Sequence, residues 1–274
     1  SKPNTKINLF GREMDAPIFA APVTGTTLNM GGKFTEREYI TSVVDGCLKG
    51  NVYPMVGDTA VDEFLLENLR VLGEFNGDGI VFIKPWGNED IKRKIKLAEE
   101  AGAFAVGVDI DACGLVTLSM HGKVVQPKTV EDIKDLKAST KLPFILKGIM
   151  TKEDALMAVE AGVDAIVVSN HGGRVLDCTP GVADVLEDIA NAVKGKVTIL
   201  ADGGVRTGVD VVKMIGLGAD AVLIGRPFVT ASFGGGSEGV ETYVKKVINE
   251  IESTMILTGC QTIKDIDSKV IFKK

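Results

Sequence analysis

The sequence has no dense run of lysine or arginine, no stretch of about 18 apolar residues and no C-x-x-C pair. Each absence removes a class of function. Without a basic patch, and with a formal charge of -6, the chain offers no surface for nucleic acid or anionic lipid. The lack of a long apolar run excludes an apolar membrane-spanning helix, and the opening SKPNTKINLF lacks the apolar core of a signal peptide. The chain reads as soluble and unexported. Cys47, Cys113, Cys178 and Cys260 are far apart, which suits separate thiols in a reducing compartment, the cytoplasm by default, better than a disulfide framework or a zinc site. No G-x-G-x-x-G directly follows a strand candidate, so a Rossmann dinucleotide site is disfavoured. The expected partner is a small molecule, and no metal site is expected.

What is present is alternation. At 274 residues and 45% hydrophobic content the chain can bury one sizeable core, and residues 1–274 read as a single domain with no linker. Short β-branched runs at 16–21, 51–56, 79–84, 105–109, 143–147, 165–169, 197–201 and 220–224 alternate with segments of helical period, the pattern of parallel strands with crossover helices. The run at 51–56, which contains a proline, is the weakest. Asn88, Thr151 and Thr207 stand as N-cap candidates, and Gly102, Gly162 and Gly218 close the same three segments. Eight βα units predict an α/β fold, a closed (β/α)8 TIM barrel, with an open doubly wound sheet as the alternative. Residues 110–128 form a long loop after the fourth strand, which reads either as a substrate-covering element or as an extra hairpin.

In such a barrel the C-terminal strand ends share one mouth. Lys84, Asp109, Lys147, Ser169, Asp202 and Arg226 end or follow six consecutive strand candidates, from the third to the eighth. The last two βα loops, ADGGVRTG at 201–208 and IGRPF at 224–228, have phosphate-binding chemistry. Gly203, Gly204 and Gly225 let backbone N–H groups come close, while Arg206 and Arg226 supply fixed charge and forked donors. After the sixth strand, SNHGGRVLD at 169–177 sets His171 and Arg174 three residues apart among glycines. Histidine is scarce here, with only two in the chain, and an imidazole titrates close to neutrality, as a base abstracting a proton requires. Arg174 suits a carboxylate, with an ion pair to Asp177 as the structural alternative. Lys147 is a buried cation in need of an anion or an electron-rich ring.

SNHGGRVLD resembles the active-site signature of the FMN-dependent 2-hydroxy acid oxidase and dehydrogenase family, which includes glycolate and lactate oxidases. LPFILKGIMTKEDA, ADGGVRTG, GADAVLIGRPF and STMILTGCQTIKDI follow in the family's order, so the resemblance is close over about 140–268 and looser before. It implies FMN as cofactor and oxidation of a small 2-hydroxy acid, with transfer of the α-hydrogen to flavin N5. His171 is implied as the catalytic base, Asp109 as its carboxylate partner and Arg174 as the binder of the substrate carboxylate. Lys147 is implied beside the flavin N1 and O2 edge, and Asp202 on the ribityl chain. Gly203, Gly204, Arg206, Gly225 and Arg226 would hold the phosphate, and Ala21, Pro22 and Ser169 would lie against the flavin. The family is often tetrameric, so a homo-tetramer is a further expectation.

The sequence also departs from the family pattern. Residues 110–128 contain no arginine where the family carries a second active-site one, and the third strand ends FIKPW, so Lys84 stands where a tyrosine is expected. The tyrosine implied ahead of the barrel is not in this sequence. Lys84, His121 and Lys123 are candidates to replace the missing arginine, Lys84 as a carboxylate-binding point charge rather than a fork. The altered clamp keeps open other FMN-barrel chemistry, a redox-neutral isomerase or a reductase, and a flavin-binding protein without catalysis.

Overall fold

The computed structural model describes residues 2–122 and 124–272. Eight parallel strands close into a barrel: β3 (Ile18–Ala20), β4 (Tyr53–Gly57), β5 (Ile80–Ile83), β6 (Ala105–Asp109), β7 (Phe144–Ile149), β8 (Ala165–Val168), β9 (Thr198–Ala201) and β10 (Ala221–Ile224), with β10 pairing back onto β3. Each coincides with an expected strand to within two residues. Because both faces of a barrel strand are covered, these segments read as continuous apolar runs rather than alternating ones, and β5, β8 and β10 are buried at every position. An antiparallel hairpin, β1 (Ile7–Leu9) and β2 (Arg12–Met14), precedes them. It leads into the start of β3, and Asp15 accepts a hydrogen bond from Asn51 just ahead of β4, so it covers the N-terminal end of the barrel, away from the strand ends that carry the polar residues.

The helices follow the same local grammar. α7 (Lys152–Glu160) and α9 (Gly208–Gly216) open at Thr151 and Thr207, whose hydroxyls accept the backbone N–H of Asp154 and Asp210. α4 (Asn88–Glu100) differs from expectation by one residue. Gly87 is its N-cap, because the Asn88 amide is directed to Asp132 and Asp135 at the neighbouring α6 (Val130–Ala138) instead of back to its own helix. α2 (Glu36–Lys49) lies along α10 (Arg226–Thr258), which is interrupted at Gly235 and Gly236. A Cβ on Gly46 would come 2.5 Å from the Val240 Cβ, so only glycine permits this approach of the two helices. Among the described residues no helix is long and apolar enough to cross a membrane, and all four cysteines are free.

One polar cluster sits inside this apolar packing. Asp58, directly after β4, and Lys94 on α4 are both buried, with the Lys94 ammonium 2.9 Å from Asp58 Oδ2. Asp58 also accepts the Trp86 indole N–H at 2.6 Å and the backbone N–H of Lys84 at 3.2 Å. This single carboxylate therefore ties the ends of β4 and β5 to α4, and fixes the chain from which Lys84 projects.

Candidate active site

The C-terminal ends of the strands surround a cavity of about 630 Å3, in the size range of cofactor and small-molecule sites. Ala21, Pro22, Lys84, Asp109, Lys147, His171, Arg174, Asp202, Gly203, Gly204, Arg206, Gly225 and Arg226 all line it. The polar strand ends expected to converge do converge. Ser169 does not reach the cavity: it is fully buried beneath the wall, where its hydroxyl donates to Asp202 Oδ2 at 2.9 Å and accepts the His171 N–H at 3.1 Å. Its hydroxyl thereby positions two site residues, Asp202 and His171.

At the floor, Asp109 on β6 stands between two lysines. Its Oδ2 accepts from Lys84 Nζ at 2.6 Å and its Oδ1 lies 3.1 Å from Lys147 Nζ on β7. The three are 3%, 8% and 4% exposed respectively. Burial pushes the Asp109 carboxyl up, but the charges of Lys147 and Lys84 outweigh it and the net direction is down. Burial likewise depresses Lys147, and Asp109, Asp111 and Asp202 more than reverse it. Asp109 and Lys147 are thereby both held in their charged forms.

The expected pairing of Asp109 with His171 is not what the structure shows. His171 Nδ1 lies 3.1 and 3.2 Å from the two oxygens of Asp111, two residues further on in a 3-10 turn, Ile110–Gly114. Two causes act together. Asp109 Oδ2 is hydrogen-bonded to Lys84 while Oδ1 lies in an ion pair with Lys147 without a hydrogen bond, and β7 carries an irregularity between Lys147 and Ile149. There Gly148 has φ +107, and a Cβ on it would lie 2.7 Å from the Asp111 Cβ. Asp111 occupies the space that any side chain at 148 would fill. A carboxylate there can only accept, so the contact favours the tautomer with the proton on Nδ1, which in a neutral imidazole leaves the Nε2 lone pair free. His171 itself has φ 57 and is followed by Gly172 and Gly173, also left-handed. A β-carbon in that region is strained, so the loop holds the imidazole at an energetic cost.

Lys84 is likewise reassigned. It reaches the cavity wall, but its ammonium is committed to Asp109, so it is not a free cation awaiting a carboxylate. His121 is exposed and lies outside the cavity lining, and Lys123 lies outside the described residues. Nor is Arg174 paired with Asp177: its Nη2 donates to Asn29 Oδ1 at 3.2 Å. The loop after β6 is helical, not a hairpin, with a short α5 (Val116–Met120), and its Leu115, Thr117 and Leu118 line the cavity. Asp109, Asp111 and His171 bring potential ligand atoms within 4.8 Å of one another, yet Lys84 and Lys147 already balance that negative charge and oppose a cation there.

The opposite wall suits a phosphate. Gly203 and Gly204 have φ +89 and +77, and a Cβ on Gly204 would meet nothing within 4 Å, so the loop presents bare backbone to open space. α10 begins at Arg226, directly behind Gly225, with no side chain capping its free N–H groups. Among the described residues Arg174, Arg206 and Arg226 form no ion pair with a carboxylate, so three uncompensated guanidinium groups face one cavity. Asp202 is half-buried, and its enclosed Oδ1 has no hydrogen-bond partner. Burial pushes its carboxyl up, against the pull of Lys147 and Ser169. Asp202 lines the cavity, and an unpaired acceptor there fits a donor such as a hydroxyl from a bound molecule. Phosphate cradle, open hydroxyl acceptor and buried lysine together fit the phosphate, sugar chain and ring of FMN.

The sequence reading missed Asp111 and Asn29. A carboxylate two residues past a strand end was a weak signal beside Asp109 on the strand, and nothing in the local pattern links Asn29 to Arg174.

Comparison with known proteins agrees with this geometry. Residues 115–273 match the family model described as FMN-dependent dehydrogenase. A peroxisomal (S)-2-hydroxyacid oxidase of Arabidopsis thaliana is 53% identical over 97% of this chain and 80% of its own length. A second from the same plant is 54% identical over 50% of this chain, a match spanning only 38% of that protein. A crystal structure of mandelate oxidase superposes with a TM-score of 0.79 at 29% identity, covering 96% of this chain and 81% of that one. The chain belongs to the FMN-dependent dehydrogenase family.

Proposed function

We propose that this chain uses FMN to oxidise a small 2-hydroxy acid to the 2-oxo acid. The observation that carries the reading is one cavity holding an imidazole oriented by a carboxylate, an unneutralised arginine and a phosphate cradle. Arg174 binds the substrate carboxylate. His171 Nε2 takes the hydroxyl proton, and Asp111 stabilises the resulting imidazolium through Nδ1. Bound FMN supplies the two-electron acceptor. The buried Lys147 ammonium, held by Asp109 and Asp202 at the cavity floor, is the group that would favour an anionic reduced cofactor. Arg206, Arg226, Gly203, Gly204 and Gly225 hold the phosphate, and Asp202 accepts from the sugar chain.

The test is anaerobic stopped-flow absorbance of the FMN-loaded protein mixed with glycolate, lactate, mandelate and longer 2-hydroxy acids. Bleaching of the band at about 450 nm is expected, and readmitting oxygen then separates an oxidase from a dehydrogenase. Loaded protein that none of these acids bleaches overturns the reading in favour of isomerase or reductase chemistry. Arg226→Leu is expected to weaken FMN binding by about 10- to 100-fold, the worth of a charge-assisted hydrogen bond, read as flavin retained after desalting. Full retention would remove Arg226 from the phosphate site.

The same proposal includes a single catalytic domain, a homo-tetrameric assembly and a cytoplasmic location. Four free thiols support the reducing compartment, and the peroxisomal relatives make localisation of the tagged protein the deciding measurement.

A further inference from the structure

We infer that Asn29 is a positioning residue for Arg174. The inference rests on the reading of Arg174 as the substrate-carboxylate binder. Asn29 closes the short helix α1 (Thr26–Asn29) in the loop after β3, 145 residues from its partner. Both ends of its amide are engaged. Nδ2 donates to the Thr24 carbonyl at 2.8 Å and Oδ1 accepts from Arg174 Nη2 at 3.2 Å. With the NH2 end tied to a carbonyl, only the oxygen can face the guanidinium, so the orientation of the amide follows from its partners.

The loop that presents Asn29 is anchored in the core. Glu36 is buried and accepts the Thr24 hydroxyl and the backbone N–H groups of Gly25 and Thr26, the latter at 2.9 Å. Asn68, fully buried, donates to the Thr24 hydroxyl at 2.8 Å and to the Gly57 carbonyl at 3.0 Å. A buried carboxylate and a buried amide are costly groups to place in a core, and here both are used to hold this loop against β4. The carbonyl that orients Asn29 belongs to the residue they hold.

An amide is the partner such a site requires. A carboxylate at 3.2 Å would orient the guanidinium as well but would neutralise it and compete with the substrate, whereas an amide oxygen fixes one N–H and leaves the charge intact. Asn29 and Arg174 both line the cavity, so an anion bound there meets a guanidinium already restrained, with less ordering left to be done on binding.

The test uses FMN-loaded protein with oxalate as an unreactive dicarboxylate probe, its binding followed by perturbation of the flavin spectrum. Asn29→Asp is expected to weaken oxalate by about tenfold or more by placing a competing charge on Arg174, and Asn29→Ala by a smaller factor of about three. With the substrate found above, the loss is expected to fall on KM and not on kcat. Oxalate bound as tightly by both variants as by the unaltered protein overturns the inference, and so does a loss in kcat with KM unmoved, which would signal a role in the chemistry or in folding. Unaltered FMN-loaded protein that binds no oxalate fails earlier, at the carboxylate-binding role of Arg174, and takes this inference with it.

Discussion

Replacing Asp111 by Asn is expected to slow flavin reduction by about 100- to 10,000-fold, the usual range for a general base and its support, with FMN still bound. The amide would donate to Nδ1 instead of accepting from it and would place the proton on Nε2, where the lone pair is needed. Nothing in the packing of the barrel should change, since Asp111 lies in a turn at the cavity edge. Asp109→Asn is expected to behave differently. It leaves the buried Lys84 ammonium without its counter-charge and Lys147 with only the more distant Asp202, so its effect should appear first as lost stability. Stopped-flow reduction and denaturant unfolding of both variants separate the two roles. Normal reduction by Asp111→Asn, together with slow reduction by a fully stable Asp109→Asn, would return the partnership with His171 to Asp109. Gly148→Ala offers an independent check, because its methyl group would displace Asp111 and should reproduce the Asp111→Asn defect without altering any ionisable group.

Lys94→Met should cost about 3–5 kcal/mol, the price of leaving a buried charge without its partner. Met fills a comparable volume, so the loss comes from Asp58, whose carboxylate would remain fully buried, and not from a cavity. Removing that charge as well, in Lys94→Met with Asp58→Leu, is not expected to restore stability. Asp58 also accepts from the Trp86 indole and from the backbone N–H groups of Thr59 and Lys84, and those donors would be left buried and unpaired. Urea unfolding monitored by circular dichroism measures both variants. A loss below about 1 kcal/mol for the single variant would mean that Asp58 finds water or another donor when Lys94 is gone. Because Asp58 fixes the backbone of Lys84, the same variant should also loosen the Lys84–Asp109–Lys147 row at the cavity floor.

Much of this molecule was legible along the chain. Strand runs such as GIVFIK and AIVVS are short, β-branched and bounded by turn residues, and each became a barrel strand. Thr151 and Thr207 were legible as caps because a cap is a local hydrogen bond over three residues. The stripe Ile91, Ile95, Ala98 marked the buried face of α4, but Lys94 lies on that face too. Period puts position 94 on the buried face while residue type alone would place a lysine in solvent, and the carboxylate of Asp58 from another element makes its burial tolerable.

The sequence by itself determined the alternation that makes a barrel, the mouth at which the polar strand ends meet, and the glycine and arginine residues that the last two βα loops bring to it. Those properties depend on residue type and on spacings of a few positions. The tertiary structure alone decided which carboxylate serves the imidazole, whether Lys84 is free and what faces Arg174. Each of these is a choice among partners brought together from separate strands, and distances of about one ångström decide it. Asp109 went to two lysines because β5 and β7 flank β6, and Asp111 reached His171 because Gly148 left it room. Asn29 reached Arg174 because a buried glutamate 7 residues further along the chain holds its loop in place.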